Sequence, residues 1–154
     1  MSAAERNRER RIAIELFNEV WRLLDQRERS VEENDRMLHA AHASRYHWGE
    51  VGSAVNRARG EWQVSRVYSV LERTEPALFH ARRCLELCER HSNELDDFDL
   101  PYAFEALARA HALAGDGDEA RRYARLAREA GERMTEQDER ELLLADLETL
   151  PLSP

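Results

Sequence analysis

Residues 39–48 read HAAHASRYHW: three histidines, an arginine, a tyrosine and a tryptophan among small residues. At ~100° per residue, a helix through this stretch sets Asp35, His39, His42 and Tyr46 on one face. Met37, Ala41, Ser44 and Trp48 fall on the opposite face, with Arg45 and His47 to either side. Two histidines at i, i+3, with an aspartate one turn earlier, have the donors for a divalent metal. The same histidines could act as acid and base near neutral pH. The plainer reading is an interhelix layer of hydrogen-bonded histidines with Tyr46 as filler. HAAH lacks the glutamate and the i, i+4 spacing of a zinc-protease helix, and no Glu-x-x-His pair supports a di-iron bundle. The expectation is therefore no cofactor, with a metal on Asp35, His39 and His42 as the lesser alternative.

Two other constellations have chemical potential. His80, Cys84, Cys88 and His91 form a stripe narrower than a quarter turn of one helix. A straight helix cannot wrap four ligands around one ion, so core packing is the better reading of that stripe. Arg59, Trp62 and Arg66 lie between and beside two apolar edges of another helix, one with Gly60, Val64, Val67 and Leu71, the other with Ala58, Ser65 and Ser69. Guanidinium groups next to an indole make a platform for an anion or carboxylate. A glycine-rich phosphate loop, a nucleophile elbow and a redox CxxC are all missing. All 23 basic residues are arginine, which excludes Schiff-base lysine chemistry and fits a GC-rich, bacterial genome.

The elements that must carry these residues are helical. Ala and Leu dominate the 42% hydrophobic content, a balance that favours closely packed helices over sheets. Ser2/Glu5, Ser30/Glu33, Asp116/Glu119 and Thr135/Asp138 match capping boxes or near variants, and Ser53, Thr74 and Asp99 are simpler caps. Pro76 and Pro101 fit first turns, while Gly49, Gly52, Gly115 and Pro151 mark stops. These signals predict seven helices over about 3–28, 31–48, 54–73, 75–92, 100–114, 117–133 and 136–149. An apolar stripe of Ile12, Leu16, Val20, Leu23 and Leu24 marks the first, and Leu142, Leu143, Leu147 and Leu150 mark the last.

The net charge of −8 argues against nucleic acid as a partner. The charge is uneven: residues 37–91 hold eight Arg against six Glu and five of the six His. Two cysteines in one helix indicate no disulfide framework. The N-terminus has no apolar signal core, and no run approaches ~20 apolar residues. The expectation is a cytoplasmic chain with no membrane partner.

Two windows align without gaps at an offset of 43 residues: EWQVSRVYSVLERTEPALFHARRCLEL from Glu61 and FEALARAHALAGDGDEARRYARLAREA from Phe104. Ser65 matches Ala108, Tyr68 matches His111, and Ala77, Ala81 and Cys84 match Ala120, Ala124 and Ala127. Each window is helix–turn–helix with small residues where two helices approach. Residues 57–133, with LARAHALAGDGDEARRYARLA as the strongest stretch, resemble the tetratricopeptide repeat. Glu72 stands where that family has a turn glycine, and the offset exceeds the usual ~34 residues.

The resemblance implies an all-α, short right-handed solenoid of helical hairpins. Residues 1–154 would form one domain: an N-terminal helical pair (1–53), two tetratricopeptide-like hairpins (54–133) and a C-terminal capping helix (134–154). It also implies a concave groove for a peptide or partner protein, with no catalysis, entered by Arg59, Trp62 and Arg66, and with His47 and Trp48 at one end. The arginines point to a ligand of acidic or carboxylate character. The carboxylate-clamp members of the family use lysine, which this chain lacks. The alternative is a small-molecule or metal-binding protein, or an enzyme, with a pocket at Asp35, His39, His42 and Tyr46. A homodimer through the first or last helix is a further possibility of the pattern.

Overall fold

The computed structural model describes residues 1–152. These form seven α-helices and no strand: α1 (Ala3–Leu24), α2 (Val31–Val51), α3 (Ala54–Val70), α4 (Thr74–Arg90), α5 (Asp99–Leu113), α6 (Gly117–Gly131) and α7 (Gln137–Glu148). A short 3-10 turn, Ser92–Glu94, interrupts the α4–α5 connection. The last two residues of the expected capping segment 134–154 lie outside the described residues.

Capping chemistry accounts for most of the helix starts. Ser2, Ser30 and Ser53 each accept a hydrogen bond from the backbone N–H three residues on, and Glu5, Glu33 and Asn56 return the bond to the cap. Asp116 caps α6 through the Glu119 N–H. Three expected caps do other work. Thr74 lies inside the first turn of α4. Asp99 is the first residue of α5, and its carboxylate is held by Arg59 and by the Asp96 N–H. Thr135 donates its hydroxyl and its N–H to Asp97, which ties the start of α7 to the acidic 91–101 connection.

Expected ends also move: α3 stops at Val70, not 73. α1 stops at Leu24, not 28, because the Arg29 guanidinium turns back and donates to the carbonyls of Leu23 and Gln26. α2 continues through Gly49 to Val51, and Gly52 closes it with an N–H to the Trp48 carbonyl.

α1–α2, α3–α4 and α5–α6 pack as hairpins; α2 against α3 and α4 against α5 join them, and α3 also meets α5. The hairpins thus stack as a short solenoid. The apolar stripe of α1 is covered within the chain: Leu16, Val20, Leu23 and Leu24 pack with Met37, Ala40 and Ala41 of α2 and Val64 and Val67 of α3. Gly131 lets α7 approach α6, for a Cβ there would fall 2.5 Å from Leu143 Cδ2. Leu143, Leu147 and Leu150 then close the end of the stack over Ala108, Ala124, Ala127 and Met134.

The 43-residue register is written in the backbone. At the α3–α4 turn, Arg73 N–H donates to the Tyr68 carbonyl at 2.9 Å and Glu72 N–H to the Ser69 carbonyl at 3.1 Å. At the α5–α6 turn, Asp116 N–H donates to His111 at 3.0 Å and Gly115 N–H to Ala112 at 3.1 Å. The six-to-one bond in each is the Schellman pattern, which needs one left-handed residue. Gly115 supplies it with φ +82°, and Glu72 supplies it with φ +58°. Glu72 therefore adopts the conformation that glycine adopts in the second hairpin.

Side chains follow the same register. Tyr68 stacks on His80 with ring centroids 5.8 Å apart, and His111 stacks on Tyr123 at 5.6 Å. The two ring types exchange places between hairpins, while Ala77 and Ala120 stay fully buried at the crossings.

A left-handed non-glycine residue costs about 1 kcal/mol. Glu72→Gly should therefore raise stability by about that amount, and Gly115→Ala should lower it by about as much. Nothing lies within 4 Å of a Cβ at Gly115, so the backbone alone sets that cost. Urea unfolding of both variants checks the pair.

Candidate functional site

The inner helices α1, α3, α5 and α7 enclose a cleft of about 620 Å³. Phe17 and Trp21 come from α1 and Asp25 from the turn that follows it, Arg59, Trp62 and Arg66 from α3, Tyr102 from α5, and Glu139, Leu142 and Asp146 from α7. Cys84 and Cys88 of α4 lie at its floor. The volume lies within the range of ordinary ligand sites.

The aromatic wall is ordered. Trp62 tilts against Trp21 at 5.5 Å and meets Tyr102 at 5.9 Å with planes 87° apart, which makes a right-angled corner. Phe17 stands edge-on to Trp21. Trp21 is 37% exposed and Leu142 is 59% exposed, so the rim presents apolar surface to solvent. The Trp62 Nε1–H is buried with no acceptor among the described residues.

The polar groups are largely paired with one another. Arg59 makes a two-pronged contact with Asp99, Nε to Oδ1 at 2.8 Å and Nη2 to Oδ2 at 2.9 Å, and reaches Asp96 at 2.7 Å. Its guanidinium also lies 4.7 Å from the Phe98 ring centroid. The role of anion platform expected of Arg59 is thus already taken by two carboxylates of the chain. Arg66 has one long contact, 3.4 Å to Glu105, and burial lowers its pKa from the ordinary value. Arg109 holds Glu105 more tightly, at 2.7 Å. Tyr102 donates its hydroxyl to Asp146 at 2.9 Å. Burial, followed by the charge of Asp146, raises the Tyr102 pKa strongly.

Of the residues expected at the groove, Arg59, Trp62 and Arg66 line the cleft, and His47 and Trp48 do not. His47 hydrogen-bonds Glu9 of α1. Trp48 is buried, with Arg10 lying 5.8 Å from its ring. Both sit between α1 and α2, because α2 is an outer helix and its packing face turns towards α1. Phe17, Trp21, Tyr102, Leu142 and Asp146 were not singled out by sequence reasoning. One signal was available: Tyr102 is the 43-residue mate of Arg59.

The helix 2 row is not a pocket. Asp35, His39 and Tyr46 are exposed on the outer side of the stack. His42 turns to α3 and α4, with Nε2 2.8 Å from the Tyr68 hydroxyl and its ring 5.5 Å from that of His80. His80 Nδ1 is 2.6 Å from Glu61 Oε2, and Arg45 donates to Glu61 Oε1 at 2.9 Å. This network joins three helices, so spacing along α2 could not reveal it. Among the described residues, no group of three or more His, Cys, Asp or Glu side chains could hold a metal ion.

The cysteine stripe packs as core. Cys84 and Cys88 are buried. The Cys88 hydrogen bond, then burial, pushes the Cys84 thiol well above its usual range, which leaves it a poor nucleophile.

No family model matches the chain, and no curated protein or solved structure matches it either. No helix among the described residues is long and apolar enough to cross a membrane.

Two predictions follow from these pairings. The Asp99 side chain is 3% exposed, so Arg59→Ala strands a buried carboxylate and should cost about 3 kcal/mol. A cycle with Asp99→Asn, read by urea unfolding, should return most of that loss as coupling.

Burial holds the pKa values of His42 and His111 below the ordinary 6.5, so the unfolded chain takes up protons first as pH falls. Stability is then full above about pH 7 and declines through 6.5 towards the folded values. At Glu61, burial opposes the lowering, but His80 and Arg45 outweigh it and its pKa stays below 4.5; its contribution is lost only at lower pH. Thermal melts from about pH 7.5 to 5 should fall for the wild type and flatten for the His42→Gln, His111→Gln double variant.

Proposed function

We propose that this chain is a non-enzymatic, tetratricopeptide-like binding module that takes a peptide or protein segment into the cleft between α1, α3, α5 and α7. The observation that carries this reading is the partly exposed aromatic wall on the inner helices, where Trp21, Trp62 and Tyr102 meet Leu142 across the cleft. Aromatic anchors in a concave, mostly apolar groove are typical of sites that supply binding energy. The equivalent turns at Tyr68–Arg73 and His111–Asp116 support the repeat character. Of the expected set, Arg66, with one long ion contact, and Trp62, whose indole N–H has no acceptor among the described residues, have hydrogen-bonding capacity left. A small molecule in the same cleft is the second reading, favoured by the volume of about 620 Å³.

The test is selection of a random peptide display library on the immobilised full chain. Recovered peptides should bind Trp21→Ala and Leu142→Arg at least about tenfold more weakly, a loss typical of an anchor residue, with far-ultraviolet circular dichroism unchanged. Failure to enrich any peptide, or peptides indifferent to both substitutions, would overturn the proposal. Native mass spectrometry of freshly purified chain decides for the second reading if it finds a small adduct that Trp21→Ala loses.

A further inference from the structure

The charge around the cleft runs opposite to that expected from its arginines. Asp25, Asp99, Glu139 and Asp146 line it, and Asp96 and Glu105 pair with the lining arginines. Against these six carboxylates stand Arg59, Arg66 and Arg109, which leaves a net −3 at the cleft. Arg59 is matched by two acids and Arg109 by Glu105. The second oxygen of Glu105, on a side chain 1% exposed, has no hydrogen-bond partner. Its charge is therefore incompletely screened. Asp25, just past the end of α1, and Glu139 of α7 both line the cleft and make no ion pair among the described residues.

The rings complete the pattern. Elsewhere the chain places its own guanidiniums over aromatic faces: Arg10 over Trp48, Arg59 over Phe98 and Arg122 over Tyr123. Among the described residues none lies over Phe17, Trp21, Trp62 or Tyr102. A right-angled Trp62–Tyr102 corner beside Trp21, with a carboxylate on the Tyr102 hydroxyl, offers ring faces and compensating charge together. Ring faces attract cations, and they do so more strongly when partly desolvated.

Resting on the reading of the cleft as a peptide site, we infer that its occupant is a segment carrying a basic side chain. The cationic head of that side chain lies against the Trp21–Trp62–Tyr102 corner, within the field of Asp25, Glu139 and Asp146. This reverses the acidic ligand suggested by Arg59 and Arg66 in the sequence.

The experiment uses acetylated, amidated alanine-flanked pentapeptides whose central residue is lysine, trimethyllysine, norleucine or glutamate, with choline as a free small cation. Each is titrated into the full chain while the indole N–H resonances of Trp21 and Trp62 are followed. The lysine and trimethyllysine peptides should bind at least about fivefold more tightly than norleucine, and the glutamate peptide should shift nothing. Glu139→Gln should weaken the cationic peptides and leave norleucine unchanged, and added salt should do the same.

Equal or tighter binding of norleucine or glutamate would overturn the inference while leaving the cleft a binding site. Choline matching the lysine peptide would replace the peptide by a free small cation. No shift with any cationic probe up to tens of millimolar would also overturn the inference, and the display selection then decides separately whether the cleft binds peptides at all.

Discussion

The close approach of paired helices through small side chains is the constraint on which the rest depends. Ala77 and Ala81 in one hairpin, and Ala120, Ala124 and Ala127 in the next, are buried where the helices cross. A larger residue at these positions would force the helices apart, because interiors pack without spare volume. Each crossing is fixed at one end by a left-handed residue, Glu72 or Gly115, and by a Tyr–His stack that locks the pair beside the turn. With two hairpins held alike, α3 and α5 lie side by side, and their cleft-facing sides become one wall.

That wall explains the division of labour between the two sides of the molecule. On the outer side, α2 and α4 are joined through α3 by a polar network of Arg45 and His42 from α2, Glu61 and Tyr68 from α3 and His80 from α4. In the second hairpin the mates of Glu61 and His80 are Phe104 and Tyr123, and there the contact is an aromatic stack at 6.3 Å. The same geometric slot is therefore filled by the Glu61–His80 hydrogen bond in one hairpin and by rings in the next. His42 and His80 are explained by this packing role, and burial holds the His42 pKa below its ordinary value.

On the inner side, ion pairs set the cleft's electrostatics. Arg59 must answer Asp99, whose carboxylate is buried at the start of α5 and also receives the Asp96 N–H. This clamp joins α3 to the acidic connection before α5 and anchors that end of the cleft. Arg66 and Arg109 converge on Glu105. The arginines hold neighbouring helices in place, and the acids they leave unmatched set the sign of the field that a ligand would meet.

The sequence alone determined the helices, their caps at Ser2, Ser30, Ser53 and Asp116, and the 43-residue register, because these depend on contacts within a few residues or on a repeated pattern of small side chains. It also put Trp62 and Arg66 on one side of α3, the side that lines the cleft, since a helix face follows from spacing. Only the tertiary structure decided what those faces meet. Asp99 read as a cap and is an ion-pair partner; Arg59 read as a free cation and is occupied. His47 and Trp48 read as groove residues and pack towards α1, and Trp21 emerged as cleft wall. Each of these outcomes turns on a residue about 40 positions away in the chain, and periodicity within one helix carries no information about such a partner.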